Sequence, residues 1–174
     1  PRRLVHALLS RAQQEEWSLP ESANLPEAVA ERWAAQWDDD IVADAATAWS
    51  APPPIDLSFA YEPGEGEWAE AATLAPLQRR LPRGQAVEAM PGFREGGWWV
   101  QDLAASLPAR LVPSDARRVL DACAAPGGKT MQLIAAGHAV TALDRSESRL
   151  ARLAENLART GLKAETVVGD VRDW

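Results

Sequence analysis

One cysteine, Cys123, is all this 174-residue chain contains, so no disulfide can close within it. A metal-free protein of the cytoplasm is the expectation from that scarcity. No apolar run approaches the ~18–20 residues a membrane span needs, and no signal-peptide pattern opens the chain, so no membrane role is expected. Proline is missing from the last 48 residues although the chain has thirteen, the last of them Pro126. The N-terminal two thirds is therefore broken into short pieces, while the rest is free to run as uninterrupted strands and helices. Positive charge is also in deficit. Residues 1–50 carry four basic residues against nine acids, residues 51–118 seven against nine, and residues 119–174 seven against seven, for a net −7. That balance disfavours a stand-alone nucleic-acid binder, whose affinity comes largely from phosphate neutralisation. With 47% hydrophobic and 25% charged residues, the composition is that of a globular protein and excludes a disordered one.

Three helices are expected first. Leu4, Val5, Leu8, Leu9 and Ala12 recur at helical spacing between Arg2 and Trp17. Pro26 opens a second helix to Trp37 as a first-turn proline, with Val29, Ala30, Trp33 and Trp37 on its apolar face. A third runs from Ile41 to Trp49, and helix packing is the expected role of these tryptophans. Ala51-Pro52-Pro53-Pro54 ends the helical part. Short extended segments follow at Ile55–Ala60, Ala86–Met90 and Gly97–Val100, punctuated by Pro63-Gly64, Pro82-Arg83-Gly84 and Pro91-Gly92, which predicts a small α+β region. Asp102 to Leu111 reads as a helix with Leu103, Leu107 and Leu111 aligned.

The last third alternates strand and helix. Arg118–Cys123 is an apolar strand, Ala124-Ala125-Pro126-Gly127-Gly128 a tight turn, and Lys129-Thr130 the opening of a helix that stops at Gly137. His138–Leu143 is a second strand ending in Asp144. Ser146 caps a helix with Leu150, Leu153, Ala154, Leu157 and Ala158 on one face, and Ala164–Val168 is a third strand leading to Gly169-Asp170. This is β-α-β-α-β with short connections, the first half of a Rossmann-like, doubly wound parallel sheet in an α/β fold.

Ligands of such sheets bind beyond the carboxyl ends of the strands. The Cys123–Lys129 turn, Asp144 and Asp170 all fall there. Glycines in the turn admit close backbone approach, and the helix start presents free N–H groups. Asp144 stands where an acid grips ribose hydroxyls in nucleoside-binding sheets. A phosphate loop would need glycine where Cys123 stands, and Pro126 removes one cradling amide. The fingerprint Gly-x-Gly-x-x-Gly is absent as well. What remains suits S-adenosylmethionine, its methionine portion on the turn, its ribose on Asp144 and its adenine near Asp170.

Asp121-Ala122-Cys123-Ala124-Ala125-Pro126-Gly127-Gly128-Lys129-Thr130 resembles the first methyltransferase motif of the RsmB/Sun family of rRNA cytosine-C5 methyltransferases. Val100-Gln101-Asp102 resembles that family's Val-Gln-Asp signature, and Asn24-Leu25-Pro26 with Trp33 and the later proline run is similar to its pre-catalytic region. Arg3-Leu4-Val5-His6-Ala7-Leu8-Leu9-Ser10-Arg11 is similar to the last helix of the NusB-like domain that precedes it. The resemblance implies an incomplete NusB-like RNA-binding domain over 1–20, linker helices and a small α+β region over 21–115, and the N-terminal half of an S-adenosylmethionine-binding domain over 116–174. It implies Cys123, Ala124, Ala125, Pro126, Gly127, Gly128, Lys129, Asp144 and Asp170 as cofactor contacts, small-subunit (16S) rRNA as partner, and a monomer. One departure stands out. Family members often have Leu-Arg-Val-Asn where this chain has Ile55-Asp56-Leu57-Ser58, which puts an arginine contact to phosphate in doubt.

Methylation at cytosine C5 needs a thiolate to add at C6, followed by proton removal at C5 to release the enzyme. The family's Thr-Cys and Pro-Cys pairs do not occur here, and Cys123 is expected to be a small buried side chain of the turn. The nucleophile is therefore expected beyond Trp174, and this segment alone is expected to be inactive. Without a further partner strand, Val119–Ala122 forms a bare apolar edge. RNA contacts are expected from Arg79, Arg80, Arg83 and Arg94 or from segments outside this sequence. The competing readings are a non-catalytic cofactor- or RNA-docking module and a nucleotide-binding protein of the phosphate-loop type.

Overall fold

Local sequence signals set most of the helix boundaries. In the computed structural model, residues 2–15, 25–50, 53–64, 66, 68–82, 84 and 86–174 are described, and the chain divides into two compact units, 1–53 and 54–174. The first unit holds α1 (Arg2–Gln14), α2 (Glu27–Gln36) and α3 (Asp39–Trp49). Asp38 caps α3 by accepting the Ile41 amide at 2.9 Å. Pro26 occupies the position before the first turn of α2 rather than a place within it. The Trp33 ring meets Trp37 edge-on at 5.9 Å and Trp49 at 6.1 Å, so these tryptophans do pack between helices. Leu4, Val5, Leu8 and Leu9 form an exposed stripe on α1. The expectations at Trp17, Asn24, Ala51, Pro52 and Arg83 lie outside the described residues.

The second unit begins with an antiparallel sheet of β1 (Ile55–Phe59), β2 (Ala72–Ala75), β3 (Gln78–Leu81) and β4 (Trp98–Val100), in spatial order β2-β3-β1-β4. Leu57, Phe59, Leu81 and Trp98 form its core, with Trp68 edge-on to both Phe59 and Trp98. The β2–β3 hairpin has no counterpart in the sequence pattern. Its turn uses Leu77 at φ 59°, a left-handed position held without glycine. Ala86–Met90 is not extended as expected. Residues 87–89 make a single 3-10 turn, closed by the Ala89 amide on Ala86 O and the Met90 amide on Val87 O.

Helix α4 (Leu103–Arg110) leads from β4 to the parallel sheet. It contains Pro108, and its start is held by two carboxylates. Asp102 accepts the Ala104 and Ala105 amides, and Asp56 accepts the Leu103 amide at 3.1 Å. Next come β5 (Arg118–Asp121), α5 (Gly128–Ala135), β6 (Ala139–Asp144), α6 (Glu147–Thr160) and β7 (Glu165–Val168). The strands are parallel in the order β5-β6-β7, with Asp121 opposite Ala142 and Asp144 opposite Val168. This is the expected β-α-β-α-β half-sheet. Among the described residues, β5 pairs on one side only. Ser146 caps α6, and Gly161 ends it at φ 67°. Trp99, Met131, Ala142, Leu150, Leu153 and Leu157 fill the core between sheet and helices.

The end of α6 locks onto the 92–98 loop. The Arg159 guanidinium donates to Phe93 O at 2.8 Å and Trp98 O at 3.0 Å and lies 4.3 Å from the Phe93 ring centre. Gly96, at φ 74°, presses so close that a Cβ there would stand 2.1 Å from Arg159 O.

Candidate cofactor site

A cleft of about 420 Å³ opens at the carboxyl ends of the parallel strands. Ala122 and Cys123 line it after β5, Asp144 at the end of β6, and Gly169 and Asp170 after β7. Parallel registers bring these positions to one rim, because strands that run together end together.

Asp144 is 3% exposed and binds backbone at both oxygens. Its Oδ1 accepts the Ser146 amide at 3.0 Å, its Oδ2 accepts the Ala125 amide at 3.2 Å, and the Arg149 guanidinium stands 3.5 Å away. Arg149 also donates to Ala125 O. One carboxylate thus ties the turn, β6 and α6 together, with one of its roughly four acceptor positions still open. Asp170 faces outward and is gripped by Arg172, whose Nε and Nη2 donate at 3.0 and 2.7 Å. That contact holds the Asp170 carboxyl below its ordinary range.

The turn from Ala124 to Lys129 is built from underneath. Ala124 and Ala125 are buried, and the Ala124 amide donates to Leu143 O. Asn156 of α6 donates to Pro126 O at 2.9 Å. Gly127 adopts φ 111°, and a Cβ on it would meet Leu153 Cγ at 3.2 Å, so glycine is required there. Thr130 Oγ1 donates to Asp121 Oδ2 at 2.7 Å, pinning the start of α5 to the end of β5.

Of the nine residues singled out in the sequence, Cys123, Asp144 and Asp170 line the cleft. Ala124, Ala125, Pro126, Gly127, Gly128 and Lys129 do not; they form the turn beside it. Cys123 is exposed, contrary to its expected burial, because the strand has ended and the chain is turning outward into the cleft. Sequence reasoning missed Arg145, Arg149 and Arg172, which also line the cleft. The i, i+5 step from Asp144 to Arg149, one residue beyond ordinary helical pairing, gave no local signal.

Two of the four arginines assigned to RNA are already committed. Arg80 pairs with Asp56 and Arg79 with Glu62. Arg94 is exposed. Among the described residues no group of three His, Cys, Asp or Glu side chains is placed to hold a metal, and no helix is long and apolar enough to cross a membrane.

Three features make the cleft able to hold a small polar ligand. Its volume is that of a small-ligand pocket. Its rim carries two carboxylates able to accept hydroxyl and amino hydrogens. The first amides of α5 lie in the adjoining turn, outside the helix's own hydrogen-bond pattern.

Comparison with known proteins agrees with that chemistry. Residues 108–174 match the family model described as 16S rRNA methyltransferase RsmB/F. The ribosomal RNA small subunit methyltransferase B of Xylella fastidiosa is 37% identical over 97% of this chain, a match covering 44% of that protein. The protein of the same name from Klebsiella pneumoniae (strain 342) is 47% identical over 53% of this chain and 22% of its own length. The chain thus spans less than half the length of the curated relatives it matches. A crystallised methyltransferase homologue from Pyrococcus horikoshii superposes with a TM-score of 0.61 over 84% of this chain and 57% of that one, at 20% identity, and shares the fold.

Proposed function

We propose that the chain is part of a 16S rRNA methyltransferase of the RsmB/F kind, whose family model residues 108–174 match, and that it is the cofactor-binding part of an enzyme that forms 5-methylcytosine in small-subunit rRNA. The cofactor is S-adenosylmethionine, which supplies an electrophilic methyl group when bound. The observation that carries the reading is the convergence of Cys123, Asp144 and Asp170 on one cleft at the ends of three parallel strands.

In this reading Asp144 accepts a ribose hydroxyl at the acceptor position that Ser146, Ala125 and Arg149 leave open. Asp170 approaches the adenine once Arg172 swings aside, a small cost for a pair whose arginine is 83% exposed. The turn from Ala124 to Lys129 backs the amino-acid portion, and the first amides of α5 face its carboxylate. Cys123 borders the donor rather than the base, so the thiolate that adds to cytosine C6 comes from outside residues 1–174. The segment over 1–20 is read as the end of a NusB-like RNA-binding domain, 21–115 as the pre-catalytic region, and 116–174 as half of the methyltransferase domain. The protein acts as a cytoplasmic monomer without a metal.

Calorimetric titration of the full-length protein with S-adenosylmethionine, paired with transfer of labelled methyl to small-subunit rRNA, tests the proposal. Saturable donor binding with label on C5 of cytosine supports it. Binding of ATP without binding of S-adenosylmethionine overturns it in favour of a phosphate-binding turn.

A further inference from the structure

We propose that Gln101 is a positioning residue for the methyl donor, holding the first turn of α5 in the place where the donor's amino-acid portion rests. The inference builds on the functional reading above and assigns a role to a side chain that does not line the cleft.

Gln101 is 5% exposed, and all four of its hydrogen-bonding groups are used. Its amide donates to Asp56 O at 3.0 Å, and its carbonyl accepts Gln78 Nε2 at 2.8 Å. Its Oε1 accepts Trp99 Nε1 at 3.0 Å, and its Nε2 donates to Gln132 Oε1 at 2.8 Å. Gln132, on α5, passes the chain on by donating to Ser106 O on α4 at 3.1 Å. The direction is forced. An indole N–H only donates, so Gln101 must turn its oxygen to Trp99 and its nitrogen to Gln132. Arg110 likewise only donates; its Nη2 reaches Gln78 Oε1 at 3.0 Å, which turns the Gln78 nitrogen toward Gln101.

The same side chain borders the turn. A Cβ built on Gly128, the first residue of α5, would sit 3.5 Å from Gln101 Cγ and 3.6 Å from its Cδ. Gln101 therefore holds α5 by a hydrogen bond at Gln132, and its stem bounds the space beside Gly128 one turn earlier. The two lie on one face of the helix, so the same side chain both ties α5 and limits what can stand at its first residue. A buried polar chain in which every member is satisfied is rigid and specific in a way an apolar contact is not. It runs from β3 through β4 to α5, so the antiparallel sheet and the donor's seat move as one piece.

The test compares Gln101→Met, which keeps length but cannot hydrogen-bond, with the wild type in two measurements. In the free protein, the Gly128 and Lys129 amide signals and the Trp99 indole signal are followed by nuclear magnetic resonance. Donor affinity is then measured by calorimetry well below the melting temperature. We expect the three signals to shift and the dissociation constant for S-adenosylmethionine to rise by about tenfold to a hundredfold, the scale of a misplaced binding group. Gly161→Ala, at the far end of α6 with φ 67° and nothing within 4 Å of an added Cβ, supplies a loss of stability without change in affinity. Gln132→Met, at a half-buried site, breaks the same link if Gln101→Met does not fold, and the double variant should lose no more than either single one. A folded Gln101→Met or Gln132→Met protein with wild-type affinity and unmoved amide signals overturns the inference alone. A wild-type protein that does not bind the donor overturns the functional reading and this inference with it.

Discussion

Asp56 grips Arg80 through both carboxylate oxygens, Nε to Oδ1 at 2.7 Å and Nη2 to Oδ2 at 2.9 Å, across the β1–β3 ladder. The Arg80 contact holds the buried Asp56 carboxyl below its ordinary pKa, helped by the Leu103 amide. A depressed carboxyl pKa stabilises the fold above the unfolded-state value of about 3.9 and loses that contribution as pH falls through the lower folded-state value. Chemical-denaturation midpoints should hold steady down to about pH 4 and then decline. Asp56→Asn should remove part of that acid slope and cost roughly 2–3 kcal/mol at neutral pH, since it frees a guanidinium and weakens the start of α4. An unchanged acid slope in the variant would count against the pair.

Asp144→Ala should raise the dissociation constant for S-adenosylmethionine by about tenfold to a hundredfold, equivalent to ~1.5–3 kcal/mol for hydrogen bonds to a charged group. Because the carboxylate also holds the Ala125 and Ser146 amides, the melting temperature should fall as well. Wild-type affinity in this variant, measured by calorimetry, would remove the ribose role.

Cys123 offers a chemical footprint. Its thiol is exposed at the cleft, so a maleimide should label it in the free protein. Saturating S-adenosylmethionine should slow that labelling, whereas ATP should leave it unchanged. Equal labelling rates with and without the donor, read by mass spectrometry, would place the donor elsewhere.

Three glycines form a graded series. At Gly137, φ 95°, nothing lies within 4 Å of an added Cβ, so Gly137→Ala should cost about 1 kcal/mol of backbone strain alone. Gly127→Ala adds a 3.2 Å contact with Leu153 Cγ and should cost roughly 2 kcal/mol. Gly96→Ala sets Cβ 2.1 Å from backbone oxygen and should cost more than about 3 kcal/mol. Urea unfolding of the three variants checks the order.

The parallel half-sheet was legible because its signals are local. Ser146 and Gly161 bound one helix, the α6 leucines repeat at helical spacing, and Gly127-Gly128 marks the turn. The β2–β3 hairpin was not. Gln78-Arg79-Arg80 looks like a solvated run, and its strand identity comes from partners far along the chain, Asp56 for Arg80 and Gln101 for Gln78. Asp56 shows the same limit: its sequence position suggested a missing arginine, while the fold makes it the anchor of another. The three strand ends of the site could be read from alternation alone. The arginines that close around them could not, because nothing in the spacing tells which way a long side chain folds back.

The outer side of β5 leaves backbone donors and acceptors facing away from β6. A segment annealing there in the same direction as β5 would finish next to Cys123, since co-directional neighbours terminate at a common rim. Its last residue would then stand at the mouth of the cleft without any loop having to cross the sheet. That flank is a place from which one added strand could bring a side chain to the cleft without rearranging β5, β6 or β7.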